Sequence, residues 1–154
     1  MALQWERRVA TVPFLMATLL SLASFGAAQN GQNAESFKAR LSPVPINISM
    51  MSTIAGTGSL TAILQGKRLT IQGTFEGLHS PATTVQIHRG PKGIRGPVVA
   101  NLADLTVTKA QKGAVSGTLE LTPDQIADLR SGRWYLQIQS EHAPDGNLWG
   151  WLLP

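Results

Sequence analysis

The residues best suited to chemistry lie in two short segments in which polar and apolar side chains alternate, residues 83–89 and residues 134–140. Alternate side chains of a strand point to opposite faces. If the two segments are neighbouring strands, one face carries a polar patch formed by Gln86, His88, Gln137 and Gln139. Such a patch is either a site for a metal or polar ligand or a hydrogen-bonded cluster. Because an amide is a far poorer ligand for copper or zinc than imidazole, the pattern favours the cluster.

Two further histidines could join a metal site centred on His88. His79 lies in a predicted turn, and His142 lies in a predicted loop of residues 140–146. A tight copper or zinc site needs three or four converging ligands. The sequence therefore predicts no cofactor, and a copper or zinc site on His88 with His142 or His79 is the alternative.

Three tryptophans form a second candidate site. Trp149 and Trp151 alternate with Leu148, Gly150 and Leu152 in the last predicted strand, so both indoles point to one face, and Trp134 lies on a predicted neighbouring strand. One interpretation is packing through cross-strand aromatic pairs. The other is an aromatic surface for a protein or glycan partner, because indole is favoured at binding hot spots.

Composition and motifs exclude several classes of function. The sequence has no cysteine, which excludes disulfides and thiol or iron–sulfur sites. It has no G-x-S-x-G, no H-E-x-x-H and no phosphate-binding loop, so no catalytic site is predicted. Its basic residues are scattered and do not interleave with aromatics, which argues against nucleic-acid binding.

The elements that must position these residues are mostly strands. Period-two alternation bounded by Gly, Pro, Asn or Asp predicts strands. They cover residues 37–41, 59–64, 68–76, 83–89, 98–102, 105–109, 114–121, 134–140 and 148–153. A short hairpin is expected at residues 65–67. We expect an all-β fold, an antiparallel β-sandwich that is Greek-key-like or barrel-like, with one short helix between late strands.

That helix has a complete set of end signals. Thr122 offers a capping hydroxyl, Pro123 suits the first helical position, and Gln125 can reach back to the cap. Gly132 suits the left-handed residue that ends a helix. These signals predict about two to three turns connecting two strands.

Residues 42–58 are rich in Pro, Ser and Gly but also carry isoleucines and methionines. The segment is too apolar for a free linker. It either packs over an open end of the sandwich or exposes an adhesive apolar patch.

The N-terminal 28 residues have the pattern of a signal peptide. Arg7 and Arg8 precede an apolar run, and small residues end it, which favours cleavage after Ala28. Cleavage leaves 11 basic and 8 acidic residues, a net charge of +3. An uncleaved membrane anchor is the alternative. If the signal peptide is cleaved, residues 29–36 are a flexible leader and residues 37–154 are the domain. Contact with the membrane is in that case transient and made through the signal peptide.

Several motifs agree in order with one family. They are Gly77-Leu78, VQIHRG at residues 85–90, GPVV at residues 96–99, LTP at residues 121–123 and APDGNLWG at residues 143–150. Over residues 37–153 the sequence resembles the CHRD (chordin-type) domain family. The resemblance implies an extracellular or periplasmic β-sandwich without a general enzymatic activity.

The resemblance also shows where this chain departs from the family. The family pattern has an H-x-H pair on the middle strand and another histidine in the strand before the last turn. This chain has Gln86 and His88 at the pair and Gln139 at the later position. We therefore expect a periplasmic or secreted binding module with an unknown protein or glycan partner. A metal-binding or redox-associated protein with a degenerate site at His88 is the alternative.

Overall fold

The computed structural model describes residues 33–45, 47–99 and 105–154. The predicted signal peptide and residues 29–32 of the predicted leader lie outside these residues, as do residues 100–102 of the predicted strand 98–102. The described residues form antiparallel strands and one short α-helix, which confirms the predicted fold class. In this part of the chain no helix is long and apolar enough to span a membrane.

The elements follow the predicted alternation closely. In chain order they are β1 Glu35–Pro43, a 3-10 turn Ile48–Met50, β2 Thr57–Gln65, β3 Arg68–Glu76, β4 Ala82–Arg89, β5 Thr106–Val107, β6 Gly113–Glu120, α1 Pro123–Arg130, β7 Trp134–Ser140 and β8 Ala143–Trp151. β1 begins at Glu35, two residues before the predicted start of the domain. In the first hairpin Gln65 pairs with Arg68, so the turn itself is Gly66 and Lys67.

Two strands differ from the prediction. β8 begins at Ala143, so residues 143–147, predicted as loop and turn, belong to the strand. The reason is that Asn147 is buried and donates from Nδ2 to the Ser140 hydroxyl at 2.8 Å, which holds this stretch against β7. In the predicted strand 98–102, Val98 forms an isolated bridge with His88.

The strands form one sheet in the order β4-β7-β8-β1-β2-β3-β6-β5. β1 pairs with β2 along residues 35–41 and with β8 at Ser42 and Pro43, so it turns the corner between the two halves of the sheet. The outer members of the order, β4 and β5, lie against each other. The result is a nearly closed, barrel-like sheet.

The core fills the interior of this barrel. Alternate residues of β1 to β3 point inward, as the sequence pattern predicts, and comparable rows come from β4, β6, β7 and β8. Burying each large apolar side chain contributes about 1.5–3 kcal/mol. Gly73 lies directly opposite Leu60, and a Cβ at residue 73 would collide with the Leu60 side chain and the Ser59 carbonyl. Glycine is therefore required for this approach of β2 to β3.

The predicted helix signals are confirmed. Thr122 Oγ1 accepts from Gln125 N at 3.3 Å, and Gln125 Oε1 accepts from Thr122 N at 2.8 Å. Gly132 has a φ of +67°. Ile126 and Leu129 pack into the barrel core. The helix thus closes one part of the barrel between β6 and β7.

An ion pair connects α1 with β1. Arg130 Nε donates to Glu35 Oε2 at 2.8 Å, and Arg130 Nη2 donates to Glu35 Oε1. These hydrogen bonds hold the pKa of Glu35 below its ordinary value of 4.5 and raise the pKa of Arg130. The pair joins residues 95 positions apart in the sequence.

Replacing Glu35 with Gln should lower stability slightly at neutral pH, and the difference from the parent should disappear in acid. A carboxylate whose pKa is lowered by folding stabilises the fold above its ordinary pKa and loses that contribution as the pH falls from 4.5 through the lower folded value. Urea unfolding across this range measures the difference. Glu76→Gln, at a carboxylate without an ion-pair partner in the described residues, is the matched control. A Glu35→Gln deficit that persisted unchanged in acid would contradict the ion-pair explanation.

Candidate functional site

The predicted polar patch lies on the outer face of β4 and β7. These strands are antiparallel neighbours, and the register puts Gln86 opposite Gln137 and His88 opposite Tyr135. Val85 and Ile87 point the other way, into the barrel core. Alternation in the sequence therefore assigned these residues to the correct faces.

The three glutamines of this face already have hydrogen-bond partners. Gln139 Nε2 donates to Gln86 Oε1 at 2.7 Å, which joins the two strands diagonally. Gln137 is buried and donates to the Asp145 carbonyl at 3.2 Å. The face therefore contains a cross-strand amide pair and a separate contact from β7 to β8.

Among the described groups, His88 makes no hydrogen bond to these amides. Its ring stacks on Tyr135, with centroids 5.0 Å apart and planes inclined by 16°. Its Nδ1 lies 3.0 Å from the Gly96 carbonyl oxygen, and because a carbonyl only accepts, Nδ1 carries the proton. Nε2 is buried and has no hydrogen-bond partner among the described groups.

The other two histidines lie elsewhere. His79 Nδ1 is 2.8 Å from the Ser52 carbonyl oxygen, and the exposed His142 bonds through its backbone N to the Ser80 hydroxyl at 2.9 Å. The structure does not bring either ring to His88 in a metal-binding group. Across the described ranges, no three His, Asp or Glu side chains are placed to hold a metal ion.

The tryptophans form a different arrangement from the predicted one. Trp149 and Trp151 share the outer face, with ring centroids 4.6 Å apart, and Tyr135 lies 4.7 Å from Trp151. We call Tyr135, Trp149 and Trp151 the outer aromatic cluster. Trp134 is fully buried on the inner face, so the prediction that it joins the other two is wrong. Strand parity explains this, because Trp134 precedes Tyr135 by one residue and Tyr135 is the register partner of Trp151.

The outer aromatic cluster is covered rather than exposed as a platform. Trp149 is 7% exposed and Trp151 is 8% exposed. Val44 and Ile54, from the irregular segment between β1 and β2, are buried against the cluster. That segment covers an outer sheet face instead of an open end. Among the described residues of this segment, Ile48 and Met51 are exposed. The prediction that the segment packs over an open end is therefore wrong, and an adhesive role of the exposed side chains stays a prediction.

The loop of residues 90–98 also covers the outer aromatic cluster. Trp151 Nε1 donates to the Gly90 carbonyl at 3.0 Å, and the Tyr135 hydroxyl accepts from Gly96 N at 3.0 Å. Pro97 and Val99 hydrogen-bond to β4 through their backbones. Backbone and aromatic groups thus hold this loop against the strands that carry His88.

A pocket of about 330 Å³ remains beside the cluster, where β1 leaves β2 and joins β8. We call it the corner pocket. Its side chains are those of Lys38, Arg40, Ser42, Lys92, Trp149, Trp151 and Leu153. Sequence reasoning missed it because the basic residues come from β1 and the loop of residues 90–98, and no local motif joins them.

Comparison with known proteins identifies one family. The family model of the CHRD domain matches residues 37–152. No curated protein and no solved structure matches the chain. The match covers almost all of the described strands, including both strands of the polar patch and the strand that carries the outer indoles.

Replacing His88 with Gln should cost about 1 kcal/mol, because the amide can still donate to Gly96 while the stacking on Tyr135 is lost. Urea unfolding of the purified variant measures this. His142→Gln, at an exposed histidine, should leave the free energy of unfolding unchanged. A loss above about 3 kcal/mol for His88→Gln would show that the ring carries more than these two contacts.

Proposed function

The chain belongs to the CHRD domain family, and from this premise we propose that it is an exported binding module of the periplasm or extracellular space. The family is one of small β-fold domains, and CHRD domains occur in extracellular or secreted proteins. The signal-peptide pattern of residues 1–28 supports export of this chain.

The observation that carries the proposal is the corner pocket. Basic side chains and the edges of two indoles meet there, in a recess on the outside of a barrel whose interior is filled. Surface pockets that combine aromatic walls with a few polar groups are typical ligand sites. A protein or glycan partner would bind here.

A binding role without catalysis also accounts for the polar patch. The amides of Gln86 and Gln139 bind each other, and Gln137 binds a backbone carbonyl. Side chains that are engaged in this way stabilise strand pairing and do not present a nucleophile or a base to a substrate. The patch is then a structural cluster, as the sequence favoured.

The protein should retain a partner from an envelope or secreted fraction, and retention should depend on the corner pocket. The parent, a Lys38→Gln/Lys92→Gln variant and a Lys67→Gln/Lys112→Gln control are immobilised side by side. The two variants lose the same charge, but only the first pair lies at the pocket. We expect the parent and the control to retain the partner and the pocket variant to lose most of it. Reproducible absence of any partner, together with turnover of a substrate, would contradict the proposal.

The second candidate function is a copper or zinc site, with or without redox activity, centred on His88. The unpartnered and buried Nε2 of His88 favours it. Gln86 and Gln139 lie on the same face, at positions where the family pattern has histidines, but their amides are poor ligands and are bonded to each other. A parent protein that binds metal would have to complete the coordination of His88 with other groups.

Replacing Gln86 and Gln139 together with His should place two imidazoles across β4 and β7 and confer copper or zinc binding that the parent lacks. His88 should not share this ion, because Gln139 lies opposite Thr84, four residues or roughly 13 Å along β4 from His88. Metal that binds the folded state selectively raises the melting temperature. Thermal melts with and without each metal, and elemental analysis of protein purified without an affinity tag, test this. If the parent itself shows a saturable one-to-one shift that His88→Gln abolishes, His88 is a ligand and the second function replaces the first.

A further inference from the structure

The corner pocket has a strongly one-sided charge. Lys38 and Arg40 extend from the outer face of β1, and Lys92 reaches the pocket from the loop of residues 90–98. Within the described ranges, no acidic side chain lines it. The first acidic residue back along β8 is Asp145, four residues before Trp149 and roughly 13 Å away along a strand.

These cations differ from the four arginines of the described residues that form ion pairs. Arg68, Arg89, Arg130 and Arg133 each have a carboxylate within ion-pair distance. Lys38, Arg40 and Lys92 have none within the part of the chain that the structure describes. Three like charges around one small recess repel each other, and an anionic group placed among them relieves that repulsion. Charge complementarity therefore points to an anionic ligand.

The two tryptophans that line the pocket indicate which class of anionic ligand it binds. Trp149 and Trp151 line it but are mostly buried, so their edges form a rigid, recessed apolar surface. The apolar body of an indole suits the apolar C–H face of a sugar ring. Insertion into the interface of a lipid bilayer requires aromatic side chains that protrude from the protein surface, and these indoles are recessed.

We propose that the corner pocket binds a negatively charged sugar, one that carries a carboxylate or a sulfate group. The acid group lies among Lys38, Arg40 and Lys92, where it accepts charge-assisted hydrogen bonds, and the sugar ring lies against the indole edges. A pocket of about 330 Å³ is at the small end of ligand sites, which fits one or two units of a longer chain. This inference rests on the proposed binding function and names the class of its ligand.

Binding is tested by calorimetry on the purified protein with three oligosaccharides. A galacturonic acid trimer carries carboxylates, a heparin-derived tetrasaccharide carries sulfates, and maltotriose is neutral. We expect at least one charged oligosaccharide to bind, with an affinity that falls as salt is added, and maltotriose not to bind. Comparing the affinities of the two charged oligosaccharides shows whether the pocket prefers a carboxylate or a sulfate.

Single variants locate the site. Lys38→Gln and Lys92→Gln should each weaken binding about tenfold, because each removes a charge-assisted hydrogen bond. Lys67→Gln, in the hairpin turn away from the pocket, should have no such effect. Circular dichroism and melting temperature verify that the exposed lysine variants fold.

The indole wall provides an independent signal. Binding should change the tryptophan fluorescence, and Trp149→Phe should reduce both that change and the affinity. If Trp149→Phe does not fold, the lysine variants still decide the question. Equal weakening by Lys67→Gln would mean unspecific charge attraction and would overturn the proposed site.

Other outcomes separate this inference from the proposed function. If neither charged sugar binds, or if vesicles of anionic lipid or a polyglutamate peptide bind through the pocket in their place, the assignment to sugars is overturned. The proposed function still stands if the envelope partner is retained through the same lysines. If no partner is retained and no sugar binds, both proposals fail.

Discussion

β1 has two partners, and this double pairing is the constraint on which the barrel and its corner pocket depend. Residues 35–41 pair with β2, whereas Ser42 and Pro43 pair with β8. Lys38 also exchanges two backbone hydrogen bonds with Leu153 beyond the end of β8. So close an approach of β8 requires glycine at residue 150, where a Cβ would lie 2.6 Å from the Arg40 carbonyl oxygen. The corner thereby sets basic residues of β1 beside the indoles of β8.

A second apolar cluster outside the barrel explains why those indoles are not an open platform. Aromatic residues on a solvated sheet face gain free energy when further chain covers them. Here the segment after β1 and the loop after β4 do so, and the hydrogen bonds of Tyr135 and Trp151 to Gly96 and Gly90 satisfy their polar groups. The cover leaves both indoles mostly buried, and both line the corner pocket. Rigid, partly shielded aromatic walls lose little conformational entropy when a ligand binds.

The polar patch illustrates how a change of residue type alters the chemistry that one face can perform. Gln86 and Gln139 lie diagonally across two strands, close enough for a 2.7 Å hydrogen bond. Imidazoles at this separation could share a metal ion, but two amides satisfy each other. His88 lies on the same face with its Nε2 buried and unpartnered among the described groups. Its Nδ1 donates to Gly96 in the loop of residues 90–98, and its ring stacks on Tyr135 of β7.

The sequence by itself determined most of the strands, their inner and outer residues and the capped helix, because side-chain alternation and helix capping are local properties. The order of its motifs indicated the family. The sequence also placed Gln86 and His88 on one face. Only the tertiary structure decided that Tyr135 rather than Trp134 joins the outer indoles, that residues 143–147 are strand, and that three basic residues meet at one corner. These outcomes depend on strand register and on which segments cover a sheet face, and both are set by contacts between residues far apart in the chain.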